Sequence, residues 1–472
     1  METIRTDVVV IGSGPGGYVC GIRLGQLGKQ VIVVEKEATG GVCLNVGCIP
    51  SKALITAAKT FDKLHHVEDM GVMVENARVD MTRMQAWKGE IVKKLTGGVG
   101  MLLKGAGARL LVGEAKIVSP TKIEVKTKDG VMAIEAQAIV VASGSRPIQI
   151  PGFAVDNVKI LDSTGALALG EIPKRLVVIG GGYIGLELGM MYAKLGSAVT
   201  VVEGTPTLLP GNDPELVQVV ARKMKKLGIT SFLEAKAKGW KEKDGALAMT
   251  FDAKDGEHTV DCDKILVTVG RRPNSENLGL AELGVNIDPK GFVPTDRQMR
   301  TNIPSVYAIG DVQGQPMLAH KASKEGEVAA EVIAGHRSEM DARVIPAVIF
   351  TDPEIGTVGM TEEQAVAAGR KVKVNKYPFG GLGRAMTQME TEGFVKMVAD
   401  ADDDTLLGVH IVGPGASDLI SEATLALEMG AAVGDVALTV HPHPTLGEAM
   451  MEAAKAVLGE SPHLVGGGVK RR

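Results

Sequence analysis

The sequence predicts an α/β protein: two Rossmann-like dinucleotide-binding domains followed by a C-terminal α+β domain. Three observations lead there. A strand, glycine loop, helix, strand and acid follow one another near the N-terminus; the same unit recurs from Arg175 at identical spacing; and after Pro346 strands and helices continue without a third such loop.

The first unit opens with the apolar strand Asp7 to Ile11, then Gly12-Ser13-Gly14-Pro15-Gly16-Gly17, a helix to about Gly28, and a strand from Gln30 that ends at Glu35. Gly12 is expected to make the tight turn, Gly14 to let a pyrophosphate approach the backbone, and Gly17 to let helix and sheet pack closely. The helix N-terminus offers unpaired N–H groups to the phosphates, and Glu35 is placed to accept bonds from ribose hydroxyls. The second unit runs from Arg175 to Ile179, through Gly180-Gly181-Gly182-Tyr183-Ile184-Gly185, along a helix to about Leu195 and up to Glu203. Gly17 precedes Glu35 by 18 residues, and Gly185 precedes Glu203 by 18. Glu203 selects NAD over NADP, because a carboxylate accepts from both ribose hydroxyls and repels a 2′-phosphate. Gly204, Thr205 and Pro206 bring no arginine to reverse that preference.

Between the two units stands Gly40-Gly41-Val42-Cys43-Leu44-Asn45-Val46-Gly47-Cys48-Ile49-Pro50-Ser51-Lys52. Residues i and i+5 of an ideal helix are about 8.6 Å apart, whereas a disulfide needs Cα atoms within roughly 7 Å. A bond between Cys43 and Cys48 therefore requires a distorted first turn, with Gly41 and Gly47 as the free positions. Taken alone, the two cysteines are equally readable as small buried apolar residues. Beside a dinucleotide site they read as a thiol pair that exchanges electrons with a bound cofactor.

Bulk properties narrow the class. A chain of 472 residues is too long for one core, so about three or four domains are expected. Segment boundaries are expected at 1–147 for the first domain, 148–270 for the NAD domain, 271–345 for a central segment returning to the first domain through Gly310-Asp311, and 346–472 for the last. A net charge of −4 gives no electrostatic case for nucleic acid. With no run of 18 apolar residues, no membrane span is expected, and a strand under way by Val8 leaves no room for a signal peptide. Four cysteines in so long a chain form no disulfide framework, which fits a reducing, cytoplasmic setting. No metal site is expected. Aromatics are only 3%, so the 21 Met are expected to help fill the core. The Gly-rich end, Val465 to Arg472, is expected to lack fixed structure.

At this point the chain resembles the flavin-dependent disulfide oxidoreductases along essentially its whole length. The motifs that carry the resemblance are the first glycine loop, the Cys43 to Lys52 stretch, Ala142-Ser143-Gly144-Ser145-Arg146-Pro147, the second loop with Leu186-Glu187, Gly270-Arg271-Arg272-Pro273-Asn274, Val306-Tyr307-Ala308-Ile309-Gly310-Asp311, and His441-Pro442-His443-Pro444-Thr445-Leu446-Gly447-Glu448. The resemblance implies FAD at the first site and NAD at the second, with a C-terminal dimerisation domain. It implies that Cys43 and Cys48 form the redox disulfide, that Lys52 lies near the flavin and pairs with Glu187, and that Asp311 meets the ribityl chain. Ala115, Ser143, Gly144 and Ala319 match FAD-contacting positions, and Gly270 and Ala237 match positions at the NAD site. His443 is then the base and Glu448 the group that orients it, as the acid does in a Ser-His-Asp triad; His441 reads as structural. Small departures occur: Gly447 where Ser is usual, Pro442 often Ala, and Ser143 for a common Thr. None removes a reacting group, although Gly447 is expected to loosen the turn at Glu448.

The function implied is NAD-dependent oxidation of a protein-bound dihydrolipoyl group by a homodimer, with His443 serving the thiol pair of the second subunit. The partners implied are lipoyl domains of 2-oxo acid dehydrogenase complexes or the glycine cleavage H-protein. Rivals are the glutathione and mercuric reductase types, the first opposed by Glu203 and the second by the lack of cysteines after Cys262. A non-catalytic subunit that keeps FAD for stability is the alternative of a different kind, opposed by the presence of Cys43, Cys48, His443 and Glu448 together.

Overall fold

The structure is a computed structural model, and it describes residues 3–243, 245–465 and the backbone of 470–471. The chain divides into two compact units, one made of Met1–Ile172 with Val267–Asp341, the other of Pro173–Leu266 with Ala342–Arg472. The fold class is the α/β class expected.

The first unit is built on a sheet whose parallel part runs in the order Arg109–Val112, Val31–Glu35, Thr3–Ile11, Gly130–Val141, with Val306–Ala308 parallel to the last of these. Two antiparallel strands, Lys122–Thr127 and Glu114–Ser119, extend it beyond Gly130–Val141. Val31–Glu35 is buried at every position. That burial is what a parallel strand covered on both faces requires, and it explains the unbroken apolar run in the sequence. Helix Pro15–Gln26 follows the first strand, and helix Ala319–Ile333 lies against it through glycines. A Cβ on Gly326 would come within 2.5 Å of the Gly16 carbonyl oxygen, so only glycine permits this crossing.

In the second unit, Thr230–Phe232, Ala198–Val202, Arg175–Ile179 and Lys264–Val267 are consecutive neighbours in one sheet, with Ala198–Val202 parallel to the strands on either side of it. The antiparallel strands Lys236–Lys243, Ala246–Ala253 and Gly256–Cys262 form a second sheet. After Ala342 a mostly antiparallel sheet orders Ala347–Ile349, Glu354–Gly359, Leu406–Gly413, Phe394–Asp400 and Val372–Pro378. Helices Ala416–Met429 and Glu448–Leu458 share its core, through residues such as Ile420, Ala423, Met450 and Ala453. Of the Gly-rich end, residues 466–469 and 472 lie outside the described residues. The expectation of no fixed structure fails at 470–471, whose backbone pairs with Lys373 and Val374.

By length and composition alone, the stretch Gly41–Leu64 passes as a membrane span, although polar residues such as Lys52 and Lys59 interrupt it. It is not one regular helix. Gly47, at φ −133° and ψ −111°, divides it into Gly41–Val46 and Cys48–Leu64. Leu44, Ala53, Leu54 and Ala58 along it are packed inside the protein.

Candidate active site

The motifs of the first unit converge on the C-terminal edge of its parallel strands, where open α/β sheets bind ligands. Gly12 N–H donates to Val34 O at 2.8 Å, Ala142 N–H to Ile11 O at 2.8 Å, and Ile309 N–H to Val141 O at 3.0 Å. Gly12, Glu35, Ser143, Gly144 and Asp311 therefore follow or end neighbouring strands at one edge. The loop glycines differ in what they do. Gly12 has φ +102°, and a Cβ there would lie 2.3 Å from Ala142 O; one on Gly17 would lie 2.0 Å from Gly12 O. A Cβ on Gly14 would meet nothing within 4 Å. Two glycines thus serve close packing, and Gly14 keeps open the side from which a pyrophosphate would approach.

Glu35 is buried, and its carboxylate accepts from Ser13 N–H (2.9 Å), Ser13 Oγ (2.7 Å) and Glu37 N–H (2.9 Å). Ala115, also buried, lies on the strand that follows Gly113, whose N–H donates to Glu35 O at 2.9 Å. Ala319 is the first residue of helix Ala319–Ile333. Ser13 carries no motif of its own in the sequence, yet it joins three parts of the site. Besides holding Glu35, it accepts the Gly40 N–H on both its carbonyl oxygen (3.0 Å) and its hydroxyl (3.3 Å).

That contact ties the thiol segment to the glycine loop. Gly40 and Gly41 have φ of +93° and +59°, and a Cβ on Gly41 would lie 2.7 Å from Gly14 Cα. The Asn45 side chain donates to Thr39 O and Gly41 O, both at 2.9 Å. The backbone breaks at Gly47 without a bond between the cysteines, so that Cys43 ends up inside one helix and Cys48 begins the next. The pair is in its dithiol form, with the two side chains in hydrogen-bond contact. That contact, together with burial, holds the Cys43 thiol far above its ordinary range, while Lys52 opposes the shift. Cys48 sits at the N-terminus of a 17-residue helix, where the dipole favours a thiolate.

Two further motifs interlock beside this edge. Ser143 Oγ donates to Asn274 O at 2.7 Å, the Asn274 side chain returns a bond to Ser143 O at 3.0 Å, and Asn274 N–H donates to Gly144 O at 2.9 Å. The Ser143 departure therefore keeps a hydroxyl donor. Arg271 Nε donates to Ser145 Oγ at 2.7 Å, and Ser145 Oγ donates in turn to Asp311. Gly270, at φ +125°, accepts Ile148 N–H at 3.0 Å.

The second glycine loop repeats the first down to its hydrogen bonds. Gly180 N–H donates to Val202 O at 2.9 Å, and a Cβ on Gly182 would meet nothing within 4 Å. Gly185 lies in the first turn of helix Tyr183–Lys194. The buried Glu203 accepts from Gly181 N–H (2.5 Å) and Thr205 N–H (2.6 Å). These donors stand at the same offsets from Glu203 as Ser13 and Glu37 do from Glu35. Gly181, which stands where Ser13 does, lacks the hydroxyl donor. Ala237 sits beside a bulge in the strand Lys236–Lys243. Glu187 is buried and accepts Phe350 N–H at 2.9 Å.

His443 and Glu448 are brought together in the second unit. His443 Nδ1 is 2.9 Å from one Glu448 oxygen, and Thr445 N–H donates to the other at 2.9 Å. Burial alone would push the Glu448 carboxyl up, but the bonds from His443 and Thr445 prevail and hold it below the usual carboxylate range. The His443 side chain is 78% exposed, so its other nitrogen is accessible. His441 is tucked in instead, with Nδ1 on Thr439 O and Nε2 on Glu422, each at 2.9 Å. Gly447 has helical angles, and a Cβ there would find its nearest neighbour at 3.6 Å, so the backbone would also accept a serine. Leu438 and Val440, which precede His441 in the chain, are strongly exposed.

Thiols fixed against a dinucleotide loop, together with a second such loop, define a pyridine-nucleotide-linked disulfide oxidoreductase. The family model for pyridine nucleotide-disulphide oxidoreductases matches residues 6–326, and that for the dimerisation domain of the same enzymes matches residues 345–454; the chain belongs to this family. It is similar to dihydrolipoyl dehydrogenases from Bacillus subtilis, 49% identical over 98% of both chains, and Geobacillus stearothermophilus, 48% identical over 98% of both. The one from Halobacterium salinarum is 48% identical over 97% of each chain. Among solved structures, LpdA from Mycobacterium tuberculosis superposes with a TM-score of 0.89 at 26% identity, covering 96% of this chain and 99% of that one. The chain is thus an oxidoreductase of this type, its cofactors are FAD and NAD, and its dimerisation domain supports a homodimer. The residues fit both cofactors: each open glycine, Gly14 and Gly182, stands at a helix N-terminus beside an anchored carboxylate.

Proposed function

We propose that the protein oxidises protein-bound dihydrolipoyl groups to lipoyl disulfides and reduces NAD⁺ to NADH, releasing one proton. The observation that carries this reading is the attachment of the Cys43–Cys48 segment to the first glycine loop through Ser13 and Gly41. It supports a redox role for the thiols over a packing role. In the oxidised enzyme the substrate dithiol attacks Cys43 of a Cys43–Cys48 disulfide. The S–S bond breaks, and Cys48 leaves as a thiolate stabilised by its helix N-terminus. The second substrate thiol then displaces Cys43, which closes the lipoyl disulfide.

His443, accessible and oriented by Glu448, takes the substrate's proton, because an uncharged thiol is a poor nucleophile. Bound FAD supplies the two-electron carrier between the thiols and the nicotinamide. Gly12, Gly14, Gly17, Glu35, Ser143, Gly144 and Asp311 would hold FAD. Gly180, Gly182, Gly185 and Glu203 would hold NAD. We place the activity in the cytoplasm and assign the lipoyl substrates to 2-oxo acid dehydrogenase complexes or the glycine cleavage system. His443 is assigned to the thiol pair of the second copy in the dimer. The test is steady-state turnover of the holoenzyme. NADH should form from dihydrolipoamide and NAD⁺, with little product from NADP⁺ or with glutathione as the thiol. A preference for glutathione or NADP⁺ would refute the assignment.

A further inference from the structure

One buried ion pair in the first unit has no part in the chemistry above, yet it is joined to the Gly310–Asp311 turn. Glu325 is 2% exposed on helix Ala319–Ile333, and Lys321, one turn earlier, is similarly buried with Nζ 2.7 Å from Glu325 Oε1. The other Glu325 oxygen accepts Gly310 N–H at 2.7 Å. This N–H follows the last rung of the strand, Ile309 N–H to Val141 O, so the sheet offers it no further partner. Gly310 has φ +74°, and a Cβ on it would lie 3.3 Å from the Ala322 methyl. The turn is therefore seated on the helix face that carries Glu325. Lys321 closes it from the far end by donating to Gln313 Oε1 at 3.0 Å and Gly314 O at 3.2 Å. With Glu325, those acceptors use all three ammonium protons.

We propose that Glu325, paired with Lys321, is a positioning residue for the flavin site: it fixes the Gly310 backbone and, through it, the direction of the Asp311 carboxylate. The clamp is two-sided. Glu325 and Lys321 hold the backbone of the turn, and Ser145, itself held by Arg271, holds the Asp311 side chain. Two carboxylates stand at one turn, Asp311 and Glu325, and one cation is tied to each side, Lys321 and Arg271. Burial pushes the Glu325 carboxyl up and Asp311 adds to that, while Lys321 opposes both. Removing either partner leaves an uncompensated buried charge, and the turn is the nearest element able to move. This inference rests on the assignment of FAD to this sheet edge.

The test is a double-mutant cycle on the holoenzyme between Glu325→Gln and Asp311→Asn, read as the FAD dissociation rate, the shape of the flavin absorption band and the melting temperature. Glu325→Gln keeps an oxygen for Gly310 N–H and is the variant most apt to fold. Lys321→Met reports on the cation, and Lys321→Met/Glu325→Gln removes both charges. Glu325→Gln should speed FAD release by about tenfold, the scale of one charge-assisted hydrogen bond. The double-charge variant should recover much of that loss. The effects of Glu325→Gln and Asp311→Asn should be clearly less than additive, since both act on one contact. Additive effects, or a lower melting temperature with unchanged FAD release and flavin band, would reduce the pair to a fold brace and overturn the proposal. If Asp311→Asn alone leaves FAD release untouched, the assignment of FAD to this edge fails, and the proposal fails with it.

Discussion

Gly14→Ala separates the packing role of the first loop from its binding role. The new methyl would meet no protein atom within 4 Å, and the backbone there, φ −65° and ψ −178°, suits alanine. The gain from a less flexible unfolded chain and the loss of a good N-cap residue oppose each other, so stability without FAD should change by less than about 1 kcal/mol. The same methyl occupies the approach to the helix N-terminus that a pyrophosphate needs. Overpacking of that kind costs about 1–3 kcal/mol, or roughly tenfold to hundredfold in FAD affinity. Gly17→Ala is the contrast. Its Cβ would fall 2.0 Å from Gly12 O, so strand and helix must separate and the fold itself should lose stability. The assay is the FAD-to-protein ratio after purification, the rate of FAD release and the melting temperature of FAD-depleted protein. FAD release at the wild-type rate from Gly14→Ala would refute the placement of the pyrophosphate. A depleted Gly14→Ala protein that melts as low as Gly17→Ala would refute the steric reasoning.

Three other substitutions probe separate parts of the molecule. His443→Gln should lower dihydrolipoamide turnover by about 10²-fold or more, while NADH-driven reduction of an artificial acceptor that takes electrons from the flavin survives; Glu448→Gln should cost less, about tenfold to hundredfold, because it removes one charged hydrogen bond. Glu203→Arg should weaken NAD⁺ and improve NADP⁺, seen as opposite changes in KM, by replacing a repelling carboxylate with a phosphate-binding fork. Lys396→Met should destabilise the second unit by about 3–5 kcal/mol in denaturant titrations, since Lys396 is buried with Nζ 2.7 Å from the equally buried Asp213 and 2.8 Å from Glu215. Burial would lower the Lys396 pKa, but its bonds to Asp213 and Glu215 prevail and raise it. The stabilisation is then fully present below the unfolded lysine value of about 10.4 and is lost only as pH rises through the higher folded value, so the effect of the substitution should be flat across neutral pH.

What could be read from the sequence was local. Each glycine loop and its acid impose residue types at a fixed offset, because one carboxylate must receive the N–H of the loop's second residue. Ser13 to Glu35 and Gly181 to Glu203 both span 22 positions. The same holds for His443 and Glu448, five positions apart. By spacing, a distorted turn goes with a Cys43–Cys48 bond, whereas the structure breaks the helix at Gly47 with both thiols unbonded. Contacts made by distant residues left no such trace. Arg271 meets Ser145 across 126 positions, and Lys396 meets Asp213 across 183. Each of these side chains is ordinary in its own neighbourhood and acquires a role only when the chain folds back. Lys321 and Glu325 are four apart on a helix and look in sequence like a solvated surface pair. Burial alone distinguishes them.

The electron route through Cys43 and Cys48 is tested most directly by anaerobic addition of one equivalent of dihydrolipoamide to the holoenzyme, followed by NAD⁺. The first addition should produce the long-wavelength band of a thiolate against oxidised flavin, and NAD⁺ should discharge it with one equivalent of NADH. Cys43→Ser should fail to react with dihydrolipoamide yet still show the band near neutral pH from Cys48, whereas Cys48→Ser should lack it. Loss of the band in Cys43→Ser with retention in Cys48→Ser would reverse the two roles. Bleaching of the flavin by dihydrolipoamide in Cys43→Ser would contradict the route altogether.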